Sequence, residues 1–316
     1  MIRSYYVTSN KKPFRPIKRW LKEKKKTEGR HCFEDRRKGE KTLVLVIAGY
    51  KPYLYQNVFS RIKAFVRGVD VCIVSSGLYD KRLSEIASNN DWSYLSLKRN
   101  CVTLAQNIAI LYHPKAEYIY KLDEDIFVTK NSFDMLKQTY QRVRDEGLYD
   151  IGFVAPLIPI NGYGHLRILD KLGMIEFYEK RFERVKYASY PTRMVEKDPR
   201  VARFFWGEGG YIPSIDELSE RFGNEAFSYR PCPIRFSIGC ILFSRKTWQD
   251  MGMWNVPLRG SGMGADEAQI CSYAIVQSQA IIVSENTVVG HLSFGQQNES
   301  MKVFYQNHPE IFSLGK

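Results

Sequence analysis

The sequence predicts an α/β fold, in which a mostly parallel sheet is flanked by helices and preceded by a basic N-terminal arm. Two observations predict the sheet and its helices. From Leu43 to Ala155, short apolar runs alternate with segments of helical spacing. Strand, helix, strand in regular succession calls for parallel strands joined by right-handed crossovers. Hydrophobic residues make up 44% of the 316, enough for one large core or two small ones.

Leu43 to Ala48 is a continuous apolar run, as a strand buried on both faces requires. Val58, Phe59, Ile62, Phe65 and Val66 share one face of a helix. Val69 to Val74 follows as a strand, Arg82 to Asn89 as a helix and Tyr94 to Leu97 as a short strand. Leu104, Ala105, Ile108, Leu111 and Tyr112 again have helical spacing. Tyr118 to Leu122 is the fourth strand, and it runs directly into Asp123-Glu124-Asp125. Asn131 or Ser132 can cap a helix carrying Phe133, Leu136, Tyr140 and Val143, and Ile151 to Ala155 is the next strand. Residues 156–236 are rich in Gly, Pro, Tyr, Phe and Arg, with helices near Leu166 to Val185 and Ile215 to Phe222. Regularity returns with a strand at Ile238 to Phe243, a short helix near Thr247 and a helix from Asp266 to Val276. Ala280 to Ser284 is the last core strand.

Of the net charge of +13, residues 1–42 carry +10, from 15 basic and 5 acidic side chains, so the body is nearly neutral. Phe14, Ile17 and Leu21 share one helical face of this arm, with Trp20 beside them and lysines and arginines around them. Such a helix can lie on an anionic membrane surface; a solvated tail is the plainer alternative. The six cysteines form no CxxC pair, and Cys72, Cys240 and Cys271 lie in apolar runs, where a thiol behaves as a small hydrophobe. Met1 to Lys12 has no apolar stretch of the signal-peptide kind, and the longest apolar run falls far short of the ~20 residues of a bilayer span. These features lead us to expect a reduced, cytoplasmic protein, peripheral to the inner membrane face if the arm binds there.

In an open parallel sheet, ligands bind beyond the carboxyl ends of the strands. Asp123 and Asp125 occupy that position, and two carboxylates at a strand end suit a hard divalent cation that also takes phosphate oxygens. A lone Asp-x-Asp triplet arises often by chance; its place after the fourth strand of an alternating series is what gives it weight. A second acidic pair, Asp266-Glu267, follows the flexible stretch Gly260 to Gly264 and opens a helix. It reads equally as ordinary helix-start chemistry or as a general base on a mobile loop. His291 follows Val288-Val289-Gly290, and a lone histidine is more often structural than a ligand.

Thr42 to Lys130 resembles the nucleotide-binding half of family-2-like glycosyltransferases with the GT-A (Rossmann-like) fold. The stretch Lys98 to Ala109 is similar to that family's Asn-rich segment, and Lys121-Leu122-Asp123-Glu124-Asp125 to its Asp-x-Asp strand end. The resemblance resumes at Ser237 to Arg245 and continues through Trp248, Met251-Gly252 and Trp254 to Asp266-Glu267 and Gly290-His291. It implies a metal-dependent, inverting transfer of sugar from a nucleotide donor, which we expect to be a UDP-sugar, to an acceptor hydroxyl. The basic arm, at an inner membrane face, fits a surface polysaccharide or other glycan or glycolipid acceptor. Asp123, Asp125 and His291 would hold Mn²⁺ or Mg²⁺. Glu267 would be the catalytic base, with Asp266 its rival. Donor contacts would fall on Ala48, Tyr50, Ser76, Asp80, Arg99, Asn107, Asp123 and Glu124.

The implied organisation is an arm (1–42), a nucleotide-sugar half (43–155) and an acceptor and catalytic half (156–316). The sequence departs from the family in Ser75-Ser76-Gly77, where an acidic residue is usual and where Asp80 could substitute. It departs also in its Asp-Glu order and in the length of 156–236. That long segment is expected to be an inserted acceptor region, with Tyr187, Tyr190, Phe204, Phe205, Trp206 and Tyr211 available to stack on sugars. Two rivals are a sugar nucleotidyltransferase, which Ala48-Gly49-Tyr50-Lys51-Pro52 matches poorly, and a non-catalytic protein whose arm binds anionic lipid or nucleic acid. No groove-reading motif accompanies the arm, so nucleic acid is the weaker partner.

Overall fold

The structure, a computed structural model, describes residues 24–188 and 193–314. The elements that build the site are β1 (His31–Glu34), β2 (Thr42–Ile47), α1 (Tyr55–Phe65), β3 (Asp70–Ser76), α2 (Lys81–Asn89), β4 (Ser93–Leu97), α3 (Val102–Tyr112) and β5 (Tyr118–Asp123). β6 (Ile126–Phe127), α4 (Ser132–Glu146), β7 (Ile151–Leu157), α5 (Gly164–Leu172), α6 (Ile175–Arg181), α7 (Pro199–Phe205), α8 (Ile215–Gly223) and β8 (Tyr229–Pro231) follow. β9 (Cys240–Ser244), α9 (Arg245–Asp250), α10 (Ala265–Val276), β10 (Ala280–Val288), β11 (Gly290–His291), α11 (Asn298–Asn307) and α12 (Pro309–Phe312) complete them.

Among the described residues, nine strands form one sheet in the order β1-β4-β3-β2-β5-β9-β7-β10-β8. β4, β3, β2 and β5 are parallel neighbours, and so are β7 and β10. Every residue of β3, β4 and β7 is buried, as expected for a sheet covered by helices on both faces. The α/β architecture expected from the alternation is therefore present, and Cys72, Cys240 and Cys271 are buried in it.

β9 runs antiparallel to both its neighbours: Cys240 stands opposite Leu122 and Ser244 opposite Tyr118 on one side, and Leu242 stands opposite Val154 on the other. The chain leaves β7 at the sheet's carboxyl edge and re-enters through β9 at that same edge, so β9 must run back. Periodicity finds such a strand but not its direction.

The arm is shorter than 1–42. His31–Glu34 pairs antiparallel with Ser93–Leu97 as the edge strand, and Lys38, Gly39 and Glu40 donate their backbone N–H groups to the Asp70 carboxylate. The amphipathic stretch at Phe14 to Leu21 lies outside the described residues. Among the described residues, no helix is long and apolar enough to cross a membrane. The two halves divided at residue 155 share the one sheet, because β7 pairs only with strands that follow residue 239.

Candidate active site

The carboxyl ends of β2 and β5, the start of α10 and the β11 turn enclose a cavity of about 430 Å³. Ala48, Tyr50, Ser76, Asp123, Glu124, Asp125, Asp266, Glu267 and His291 all line it. A wider hollow of about 1280 Å³ beside Trp206, Asp216 and Leu314 contains none of these groups.

Asp123 is the last residue of β5, and 37% of its side chain is open to the cavity. Gly239 lies directly against it: a Cβ there would come within 2.9 Å of Ile126 and 3.7 Å of the outer Asp123 oxygen. Asp125 follows in the turn between β5 and β6. A two-stranded ribbon then pairs His291 with Ile126, and the Leu292 N–H donates to the Asp125 carbonyl at 3.0 Å. This ribbon sets the His291 Nε2 3.3 Å from Asp125 Oδ2. Trp206 backs it, donating its indole N–H to the His291 carbonyl at 3.1 Å. Gly290 is required there, since a Cβ would meet the Trp206 ring at 2.4 Å.

Lysines stand beside both aspartates. Lys51 donates to Asp125 Oδ2 at 2.5 Å, and the fully buried Lys121 donates to Asp123 Oδ1 at 2.6 Å and to the Ile238 carbonyl at 3.1 Å. Burial opposes ionisation of Asp125, but His291 and Lys51 more than reverse that and hold its carboxyl far below the usual range. Burial would likewise depress the Lys121 ammonium, and the Asp123 and Asp266 carboxylates raise it instead.

Asp266 and Glu267 sit in the first turn of α10, where acidic side chains favour the positive end of the helix. Gly264 precedes them in the left-handed conformation, which turns the chain into the helix. Asp266 is committed internally. Its Oδ2 accepts from Gln106 at 2.9 Å and lies 4.0 Å from Lys121, and its Oδ1 accepts the Glu267 backbone N–H at 3.0 Å. Glu267 faces the cavity, with Arg235 at 2.8 Å. Burial pushes its carboxyl above the usual range, against the pull of Arg235 and the Ile238 N–H.

Other expected contacts are engaged within the fold. Glu124 accepts the backbone N–H of Gly49 at 2.8 Å and of Tyr50 at 3.1 Å, so its carboxylate fixes the loop after β2 while it lines the cavity. Asn107 is buried, with its amide bonded to Trp254 and Trp248. Asp80 caps α2 and pairs with Arg82 at 2.8 Å. Arg99 reaches the Pro257 carbonyl and does not line the cavity. Of the aromatics expected to stack on sugars, Phe204, Phe205 and Trp206 are core residues. Tyr187 and Tyr211 are exposed, and Tyr190 lies outside the described residues.

Sequence reasoning missed Lys51, Lys121 and Arg235. A lysine inside the otherwise uncharged strand of Tyr118 to Leu122 was the signal for Lys121. Lys51 and Arg235 carry no such mark.

Among the described residues, no three His, Cys, Asp or Glu side chains converge as a ready-made cation site. The pair Asp125 and His291 nevertheless fits a divalent cation: an ionised carboxylate oxygen and an imidazole nitrogen 3.3 Å apart on the cavity wall, with Asp123 beside them. The buried His291 Nδ1 meets no hydrogen-bond partner among the described residues. Phosphate oxygens of a bound ligand would supply the other donors.

No protein-family model and no curated protein matches the chain. Among solved structures, it is similar to a mannosyltransferase from Pyrobaculum calidifontis in complex with GDP-Man and Mn²⁺, at 13% identity and a TM-score of 0.45. The match covers 95% of this chain and 72% of that one. A likeness this distant carries no argument about what this chain does.

Proposed function

We propose that this chain is a metal-dependent glycosyltransferase that moves a sugar from a nucleotide donor to an acceptor hydroxyl. One observation carries the reading: a single cavity at the carboxyl ends of the strands is lined by Asp123, Asp125 and His291 together with Glu267.

Asp125 and His291, with Asp123, would hold Mn²⁺ or Mg²⁺. When bound, the cation neutralises charge on a diphosphate leaving group. The residues of the chain do the rest. Glu267, held ionised by Arg235 yet made more basic by burial, accepts the proton of the acceptor hydroxyl. The acceptor oxygen bonds to the anomeric carbon as the bond from that carbon to the diphosphate oxygen breaks, and the electron pair leaves with the diphosphate. Attack opposite the leaving group inverts the anomeric centre. Lys121 and Gln106 engage Asp266, which therefore positions the start of α10 and leaves the base role to Glu267. Tyr50 and Ser76 form the donor end of the cavity, tied by the Tyr50 hydroxyl donating to the Ser76 carbonyl.

We take the donor to be a UDP-sugar and the acceptor a glycan or glycolipid of a surface polysaccharide. The basic residues before β1 would hold the protein at an anionic membrane face.

The test is thermal stability against a panel of nucleotide sugars, with and without Mn²⁺, on wild type and Asp125→Ala. Ligand at ~100 times its dissociation constant adds ~2.7 kcal/mol. A Mn²⁺-dependent shift with one nucleotide sugar, lost in the variant, is the expected result. Equal shifts in wild type and variant would sink the assignment.

A further inference from the structure

Lys51 lies in the turn after β2, which Glu124 holds through the Gly49 and Tyr50 N–H groups. Its backbone is therefore fixed while its four-carbon stem enters the cavity. At the end of that stem, the ammonium bonds Asp125 Oδ2 at 2.5 Å and lies 3.4 Å from Asn298 Oδ1. The same Asp125 oxygen faces His291 Nε2 at 3.3 Å. One carboxylate oxygen thus has both an ammonium and an imidazole against it.

A divalent cation bound by Asp125 and His291 would claim that oxygen. An ammonium and a dication a few ångströms apart repel strongly where water is scarce. The ammonium must leave for the cation to enter, and the stem can swing without moving the turn. The diphosphate of a donor is the anion that would receive it.

We infer that Lys51 is a placeholder cation, which occupies Asp125 in the free protein and passes to the donor's diphosphate as the divalent cation binds. The inference rests on the transferase reading of this cavity. Each ligand then removes an obstacle to the other. The cation frees the ammonium for the diphosphate, and the diphosphate draws the ammonium off Asp125. Coupling of this kind is reciprocal and is typically worth roughly 5- to 150-fold in affinity. Without Lys51, the cation would bind alone and the diphosphate would lose a partner.

The experiment titrates Mn²⁺ alone into the full chain, by calorimetry or electron paramagnetic resonance, for wild type, Lys51→Met, Lys51→Arg and Asp125→Asn. It then repeats the titrations with UDP and with GDP present. Lys51→Met is expected to bind Mn²⁺ alone roughly 5- to 150-fold more tightly than wild type, with most of the cooperativity towards the diphosphate lost. Lys51→Arg keeps the charge and should behave as wild type, and Asp125→Asn should lose Mn²⁺ altogether. If Lys51→Met binds Mn²⁺ no more tightly than wild type while diphosphates still bind, the placeholder role is overturned and the transferase reading stands. If neither Mn²⁺ nor either diphosphate binds any variant, both fall together.

Discussion

Asn107 offers a direct test of whether this cavity has been placed correctly, because a donor contact and a core clamp behave differently when removed. Its Nδ2 donates to the Trp254 carbonyl at 2.9 Å, and its Oδ1 accepts from the Trp254 N–H at 3.0 Å and the Trp248 indole at 3.1 Å. All three partners are buried with it. Asn107→Ala leaves three buried polar groups without their partner, each worth about 1–3 kcal/mol. Taking the low end of that range, because part of the site can relax, the loss is about 3 kcal/mol. Set against total stabilities of about 5–15 kcal/mol, this is a large fraction. Urea melts of both proteins would show it as a lower midpoint with the slope unchanged. Below the melting range, nucleoside diphosphate affinity should be that of wild type. A loss under about 1 kcal/mol, the scale of an ordinary surface change, would refute the clamp. Weakened diphosphate binding in a fully stable variant would return Asn107 to the donor site.

Glu267→Gln should lower kcat by about 10²- to 10⁴-fold with stability kept, and wild-type kcat should fall as pH drops through a value above the usual glutamate range, since the base must be ionised; steady-state rates across pH test both. His165 is buried, bonded to the Asn161 carbonyl at 2.7 Å, and burial lowers it to about 3 from 6.5. Between those values the unfolded chain binds a proton that the folded one does not. Stability is therefore full above the upper value and falls as pH drops below it, by about 2 kcal/mol at pH 5. Urea melts at pH 7 and 5 should show a loss that shrinks by that amount in His165→Leu; equal losses in both proteins would refute it.

The elements between Thr42 and Ala155 were largely legible because most strands are short, mainly apolar runs and most helices show one apolar face. Thr42–Ile47, Asp70–Ser76 and Val102–Tyr112 fall within two residues of the expected bounds. The acidic strand end was legible for the same reason, since the apolar run of β5 stops where Asp123 begins. What failed was what tertiary context decides. His31–Glu34 looks like part of a charged tail, and becomes a strand only because β4 offers an open edge. Asn107 is a residue type suited to a ligand, but its neighbours engage both ends of its amide. Phe204, Phe205 and Trp206 show aromatic content without showing which side faces water. The lysines paired with Asp123 and Asp125 are contacts between groups whose meeting no spacing rule encodes.

The reversed strand β9 has a consequence for how such a chain can diversify. Its register is fixed on both flanks at once, Leu122 with Cys240 and Val154 with Leu242. Among the described residues, β7 has β9 and β10 as its neighbours. A fragment ending near residue 157 would leave β7 without either partner and β5 as a bare sheet edge, the kind that invites aggregation. Exchanging the C-terminal half for another would have to reproduce both registers to the residue. The excursion between Leu157 and Cys240 departs from and returns to the same rim, and it is anchored at two places, by β8 in register on β10 and by Trp206 behind Gly290 and His291. Recombination and drift can rewrite the stretches between those anchors, and with them what the cavity admits, while the sheet and the Trp206 support beneath stay a single inheritance.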